Sequence, residues 1–254
     1  MTKFTFTPRP VNKATCVLKA RVRPELRRQF LNFWQSWIGG GDEELTPLVY
    51  IAATSKGIDG PVVLAQHWGN EASARVALAP FFPFLEPKEL QLSELSPLQA
   101  FEFFGGKLDA PMTPARFKSK SHFFKRELTD AQWDAFVGLL SEPIDGLLGL
   151  MLDPWRGAIA RVAVDDTAFF HRDALFSVQY RADWGTEAEQ AASLDCLQRV
   201  YTNLAPFSDG AYVNYSDKSL NDWRNAYYGA HLKRLTDVKR RYDPMNYFRH
   251  PLSL

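Results

Sequence analysis

Two apolar runs, Leu48–Thr54 and Val62–Trp68, flank a short turn at Lys56–Gly60, and no other feature constrains the fold as much. Strand-length runs this close together pair as a hairpin, and a hairpin is antiparallel. Further strand-like segments fall at Thr2–Phe6, ended by the Pro8-Arg9-Pro10 breaker, and at Thr15–Val22. The second half adds Ala115–Phe124, Leu147–Leu152, Gly157–Val164 and Leu175–Tyr180, with a Pro154-centred turn expected between the second and third of these. Helical spacing separates them. From Pro24, Leu26, Phe30, Phe33 or Trp34, and Trp37 form a stripe that Gly39-Gly40-Gly41 stops. Asn70 caps a short helix ending before Pro80, Ser96-Pro97 opens another, and Thr129-Asp130 caps one bearing Trp133, Phe136 and Leu140. Glu187–Leu204 carries Leu194, Leu197 and Tyr201 on one stripe. His231–Tyr242 carries Leu232, Leu235 and Val238 before the Asp243-Pro244 stop. The pattern predicts an α+β fold: a mostly antiparallel β-sheet with helices packed on one face, plus a C-terminal helical segment. No Gly/Ser linker or charge block divides residues 1–254, so one domain is expected.

Composition narrows the function classes. With 46% hydrophobic and 23% charged residues the chain can bury a sizeable core, which argues against disorder and against a disulfide scaffold. Thirty Lys plus Arg against 29 Asp plus Glu leave +1, so no global field recruits nucleic acid or an anionic membrane. Only two cysteines are present, no apolar leader is readable in the first twenty residues, and the apolar stretch Val76–Leu85 is short and broken by proline. A cytoplasmic protein is expected.

The five histidines, His67, His122, His171, His231 and His250, form no metal-binding spacing, so no metal site is expected. Gly39-Gly40-Gly41 follows a helix instead of opening one, which makes it a stop and not a phosphate cradle. Arg116, Lys118 and Lys120 alternate along one strand. They read as a solvated face in preference to a single-strand-binding surface. The unusual local composition is Ala211–Tyr228, which gathers Tyr212, Asn214, Tyr215, Asp217, Trp223, Tyr227 and Tyr228. Tyr212-Val213-Asn214-Tyr215 reads as a strand after a Ser208-Asp209-Gly210 turn, with Tyr212 and Asn214 on one face and Val213 and Tyr215 on the other. Phenols beside an amide suit a polar aromatic ligand or a proton transfer. The same composition also suits a tyrosine-rich packing seam.

Tyr212-Val213-Asn214-Tyr215-Ser216-Asp217, Trp223, Tyr227-Tyr228-Gly229, Arg234-Leu235, Lys239, Tyr242-Asp243-Pro244, Asn246 and Phe248 resemble the C-terminal signature of berberine-bridge-enzyme-like oxidases. These are FAD-linked oxidoreductases of the vanillyl-alcohol-oxidase class. Gly157–Val162, Thr167–Arg172, and Val178-Gln179-Tyr180 with Trp184 are similar to the same family's substrate-domain strands. The resemblance implies that Tyr215 is a phenolic base taking a substrate hydroxyl proton while hydride passes to flavin. It also implies that Tyr212 and Gln179 line the substrate cleft, with Ser177 one alternation away, and that Asn214 lies close to the flavin. Relatives that activate the tyrosine often carry Lys or Asp at the position of Ser177; serine cannot lower a phenol's pKa through charge. His231 stands where the family commonly has Asn.

The family's flavin-holding motifs, a Gly-rich pyrophosphate loop and a His and a Cys bonded to the isoalloxazine, are not found, and Cys16 and Cys196 do not match them. Thr2–Thr7 resembles the strand that closes the flavin domain. Three readings follow from the resemblance. The chain is the substrate-domain half of an FAD-linked oxidoreductase acting on an alcohol or similar small organic molecule, with FAD supplied by a separate polypeptide. It is instead a cofactor-free enzyme or binder that reuses the cleft for a step such as cyclisation. Or it is an inactive fragment. A sheet face bared of its flavin domain is expected to be apolar and aromatic, and to pair with a flavin-domain partner or a second copy.

Overall fold

A computed structural model describes Thr5, Thr7 and residues 14–105 and 116–254. The expected strand at Thr2–Phe6 therefore lies, save for Thr5, outside the described residues, as does Ala115. In chain order, β1 (Thr15–Arg21) and α1 (Arg27–Ile38) precede the hairpin β2 (Leu45–Thr54) and β3 (Gly57–Trp68). Then come α2 (Glu71–Leu78), β4 (Gln91–Leu95) and α3 (Pro97–Phe103). The second half runs β5 (Phe117–Phe124), α4 (Asp130–Ser141), β6 (Leu147–Pro154), α5 (Ala158–Arg161), β7 (Phe176–Asp183), α6 (Glu187–Leu204), α7 (Trp223–Tyr228) and α8 (Leu232–Tyr242).

All seven strands join one sheet in the order β4-β1-β3-β2-β6-β7-β5, and every pairing is antiparallel. Because side chains alternate across a strand, the register sorts residues onto two faces. One face carries Val49, Leu150, Leu152, Phe176, Val178, Tyr180 and Phe124, all buried in the main core. Under α1, α4 and α6, Trp34 meets Phe176 edge-on at 5.5 Å, Phe176 stacks on Phe124 at 4.8 Å, and Trp133 lies over Phe176 at 6.2 Å. The buried Trp34 indole donates to the Pro47 carbonyl (2.8 Å), so this large ring enters the core with no unmet donor.

Helix starts follow their side chains. Thr129 and Gln132 form a reciprocal capping box at α4, Thr186 and Glu189 do the same at α6, and Ser96 and Gln99 at α3. Two expectations fail. Gly157–Val164 is not a strand: α5 and a 3-10 turn at Val164–Asp166 occupy it, with Gly157 at positive φ (65°) turning the chain off the sheet after Pro154. The β-branched residues that suggested a strand lie instead in the loop joining β6 to β7. The Lys118–Lys120 stripe is not a solvated face either, since Lys120 is buried and both lysines bond Asp217.

Candidate functional site

The second face of the sheet holds the site. In β7, Ser177 and Gln179 point away from the helices; their cross-strand partners are Asp153 and Met151 in β6, and Phe123 and Ser121 in β5. Residues directly opposite share a face, so these six side chains form one patch at the β6-β7-β5 end. The patch continues outward as a mixed surface. Tyr50, Leu64 and Gln66 are half-buried and Lys19 is exposed, while Arg181 stacks on Phe117 at 4.3 Å and bonds Asp183. The expectation of an apolar, aromatic face is thus corrected: alternation along half-buried strands placed charged and amide groups there as well.

The chain reaches this face at the edge of β5. Phe123 N–H donates to the Gly210 carbonyl, and Asp209 N–H to the Phe123 carbonyl, both at 2.8 Å. Gly210 has φ +151°, and a Cβ there would lie 2.3 Å from the His171 ring and 2.8 Å from the Ala226 carbonyl, so only glycine fits. Tyr212 N–H then donates to Ser121 Oγ (2.9 Å), which brings the tyrosine over the patch.

From here the backbone turns. Tyr215 N–H donates to the Tyr212 carbonyl at 3.0 Å, closing a turn over residues 212–215. The expected strand at Tyr212–Tyr215 is overturned, and with it the idea that Tyr212 and Tyr215 face opposite ways. A turn brings its first and last residues together, and the two rings meet edge to face at 5.2 Å. Asn214 is exposed and its Nδ2 donates to Tyr212 Oη (2.7 Å), so amide and both phenols form one unit.

An aromatic wall of Phe123, Trp155 and Phe169 backs Tyr212, at 5.8, 5.3 and 6.1 Å. Trp155 Nε1 donates to Ser177 Oγ (2.8 Å), and Ser177 Oγ in turn reaches Asp153 Oδ2 at 3.4 Å. Gln179 Nε2 donates to Ser119 Oγ (3.2 Å) on the same face. Burial raises the Asp153 carboxyl to about 6, against the pull of the Ser177 hydroxyl. Burial first, then the Asp153 charge and the Tyr212 phenol, push Tyr215 up to about 12. Tyr215 is therefore a phenol that keeps its proton at neutral pH, a donor before it is a base.

The patch brings together Tyr212, Asn214 and Tyr215 in one turn above the sheet, with Ser177 buried in the floor beside Asp153 and Gln179 half-buried on the next outward position. Asp153 and Trp155 escaped sequence reasoning because the strand was ended at Leu152. The alternation of Leu148, Leu150 and Leu152 already places Asp153 outward, opposite Ser177. Cys16 and Cys196 are free, buried, and raised in pKa first by burial, and Asn214 is a single exposed amide. Among the described residues no helix is long and apolar enough to cross a membrane.

Residues 211–254 match the family model for berberine and berberine-like proteins. The FAD-linked oxidoreductase YvdP of Bacillus subtilis is 27% identical over 100% of this chain and 56% of its own length. Berberine bridge enzyme-like 2 of Arabidopsis thaliana is 29% identical over 76% of this chain and 41% of its own. The structure of berberine bridge enzyme from Eschscholzia californica superposes with a TM-score of 0.82 at 23% identity, covering 95% of this chain and 55% of that one, a likeness of fold. The chain spans about half the length of the curated relatives it matches.

Proposed function

We propose that this chain is the substrate-binding half of an FAD-linked oxidoreductase acting on an alcohol or a similar small organic molecule, with FAD held by a flavin domain supplied in trans. The observation that carries this reading is the convergence of Tyr212, Tyr215 and Asn214 in one turn on the sheet face that also bears Ser177, Gln179 and Asp153. Relatives of this chain are named as FAD-linked oxidoreductases and oxidases, including a hexose oxidase of Chondrus crispus, which supports redox chemistry as the family's business.

The work of the site residues is binding and proton handling. Trp155, Phe169 and Tyr212 offer a flat apolar wall for a ring or a carbon skeleton, while Gln179 and the two phenols offer hydrogen bonds around a hydroxyl. A buried carboxyl near 6 beside a phenol near 12 divides the labour: Asp153 accepts, and Tyr215 donates or relays. Asn214, exposed and bonded to Tyr212 Oη, is the amide that would face a flavin supplied in trans. Purified chain mixed with a flavin-domain partner is expected to give a stable complex with absorbance in the near-ultraviolet and blue. Tyr215→Phe and Gln179→Ala in that complex are expected to slow substrate oxidation roughly 10²-fold or more. A complex without a flavin band, or variants of unchanged rate, overturns the reading.

One observation favours a second reading, that of a cofactor-free binder or cyclase. A phenol held protonated suits steady hydrogen-bond donation to a bound polar intermediate. It is distinguished by ligand turnover in the flavin-free chain that is lost on Tyr215→Phe.

A further inference from the structure

β5 is the last strand of the sheet, and a bare sheet edge is an open template for pairing. Here residues 209–219 close it. The bonds of Asp209, Gly210 and Tyr212 to Phe123 and Ser121 fasten one end of the strap. The other end is fastened from the opposite side of the strand. Lys118 and Lys120 lie in register with Ala182 and Tyr180, so their side chains leave β5 on the helix-packed face, where Lys120 Nζ sits 4.5 Å from the Tyr201 ring centroid on α6. Both lysines converge on Asp217, which is 3% exposed.

Both oxygens of that carboxylate are bonded. Lys118 Nζ and the amide and hydroxyl of Ser219 (2.9 and 2.6 Å) bond Oδ1, and Lys120 Nζ bonds Oδ2 at 2.7 Å. Asp217 N–H donates to Tyr227 Oη (2.9 Å), tying the strap to α7 as well. One residue, Ser216, separates this anchor from Tyr215. The strap thus crosses the strand edge between two fixed points, with the phenol turn between them.

We propose that Asp217, clamped between Lys118 and Lys120, is a positioning residue that sets where the Tyr215 phenol stands against Tyr212 and Asp153. The functional meaning of this rests on the reading of the two phenols as substrate-facing groups, but the position itself is measurable without substrate or flavin. A buried ionised carboxylate held between the buried Lys120 and the half-buried Lys118 has one place to be, because displacement leaves charge unpaired away from water. Asn in its place loses the charge that holds the two lysines together, and they repel. Lys118→Met, by contrast, leaves a one-to-one pair between Lys120 and Asp217.

The test is nuclear magnetic resonance of the full chain with ¹³C-labelled tyrosine rings, the two signals assigned with Tyr212→Phe and Tyr215→Phe. In the native chain a ring-to-ring Overhauser effect is expected between Tyr212 and Tyr215, with the Tyr215 phenol titrating near 12. Asp217→Asn is expected to abolish the first and bring the second down toward 10, the ordinary value, as the ring leaves Asp153 for water. Lys118→Met is expected to keep both. Should Asp217→Asn not fold, Asp217→Glu, which moves the charge by one methylene, is expected to weaken the contact. A folded Asp217→Asn or Asp217→Glu with the ring contact and the phenol titration unchanged overturns the proposal. Because neither signal depends on turnover, that outcome leaves the redox reading to its own experiment.

Discussion

Asp153 is the residue whose burden is easiest to measure. Its folded pKa near 6 lies above the ordinary 3.8, so the folded protein prefers it protonated. A carboxyl raised in this way leaves stability untouched below about pH 4 and subtracts from it as pH rises through 6. At neutral pH the cost is about 3 kcal/mol. Asp153→Asn is therefore expected to unfold at higher denaturant than the native chain at pH 7 and at the same denaturant at pH 3.5. Equal midpoints at both pH values would remove the argument that burial strains this carboxylate. Sequence reasoning reached Tyr212, Tyr215, Gln179, Ser177 and Asn214 through resemblance, but not Asp153, whose role depends on a neighbour two strands' worth of chain away.

At the scale of elements, helix starts were legible and loops were not. Asn70, Ser96, Thr129 and Thr186 cap α2, α3, α4 and α6 through bonds that span only three residues, so local sequence contains all the information. Thr129→Ala is expected to cost about 1 kcal/mol, read as a lower denaturation midpoint at unchanged slope, because it leaves the Gln132 amide unmet. Trp133→Ala, on the same helix, is expected to cost about 3–5 kcal/mol, since a fully buried ring stacked over Phe176 leaves a cavity the sheet cannot close. The failures are equally instructive. Ile159, Val162 and Val164 have strand-forming character, yet no neighbouring strand is free to pair with them once β6 has β2 and β7 on its two sides. Tyr212–Tyr215 alternates like a strand, yet its amides are taken by a side chain and a turn.

Across the whole molecule, one sheet carries a dry face and a working face, and the two titrate differently. His122 is on the dry face, 2% exposed, stacked on Tyr201 at 4.1 Å and bonded to Tyr180 Oη at 3.1 Å. Burial, then Lys120, lower its pKa to about 3 from 6.5. The unfolded chain takes up a proton below 6.5 that the folded chain refuses, so stability falls as pH drops from about 6.5 to 3. Across that window the stability of His122→Gln relative to the native chain is expected to rise steadily as pH drops, because the Asp153 contribution is common to both chains and only the native one refuses the extra proton. Parallel slopes would show that the imidazole is not held neutral.

The sequence alone determined what short-range physics can encode: antiparallel hairpins, capped helices, the stripe of each helix that seeks the core, and a tyrosine-rich tail of recognisable pattern. Each depends on side-chain periodicity or on bonds a few residues long. Only the tertiary structure decided which faces meet. It turned the tail at Tyr212 to bring two phenols together, set Asp153 opposite Ser177, and sent Asp217 across the strand edge to Lys118 and Lys120. Those contacts join residues up to about a hundred positions apart, and their energies exist only once strand register has fixed which side chains share a face.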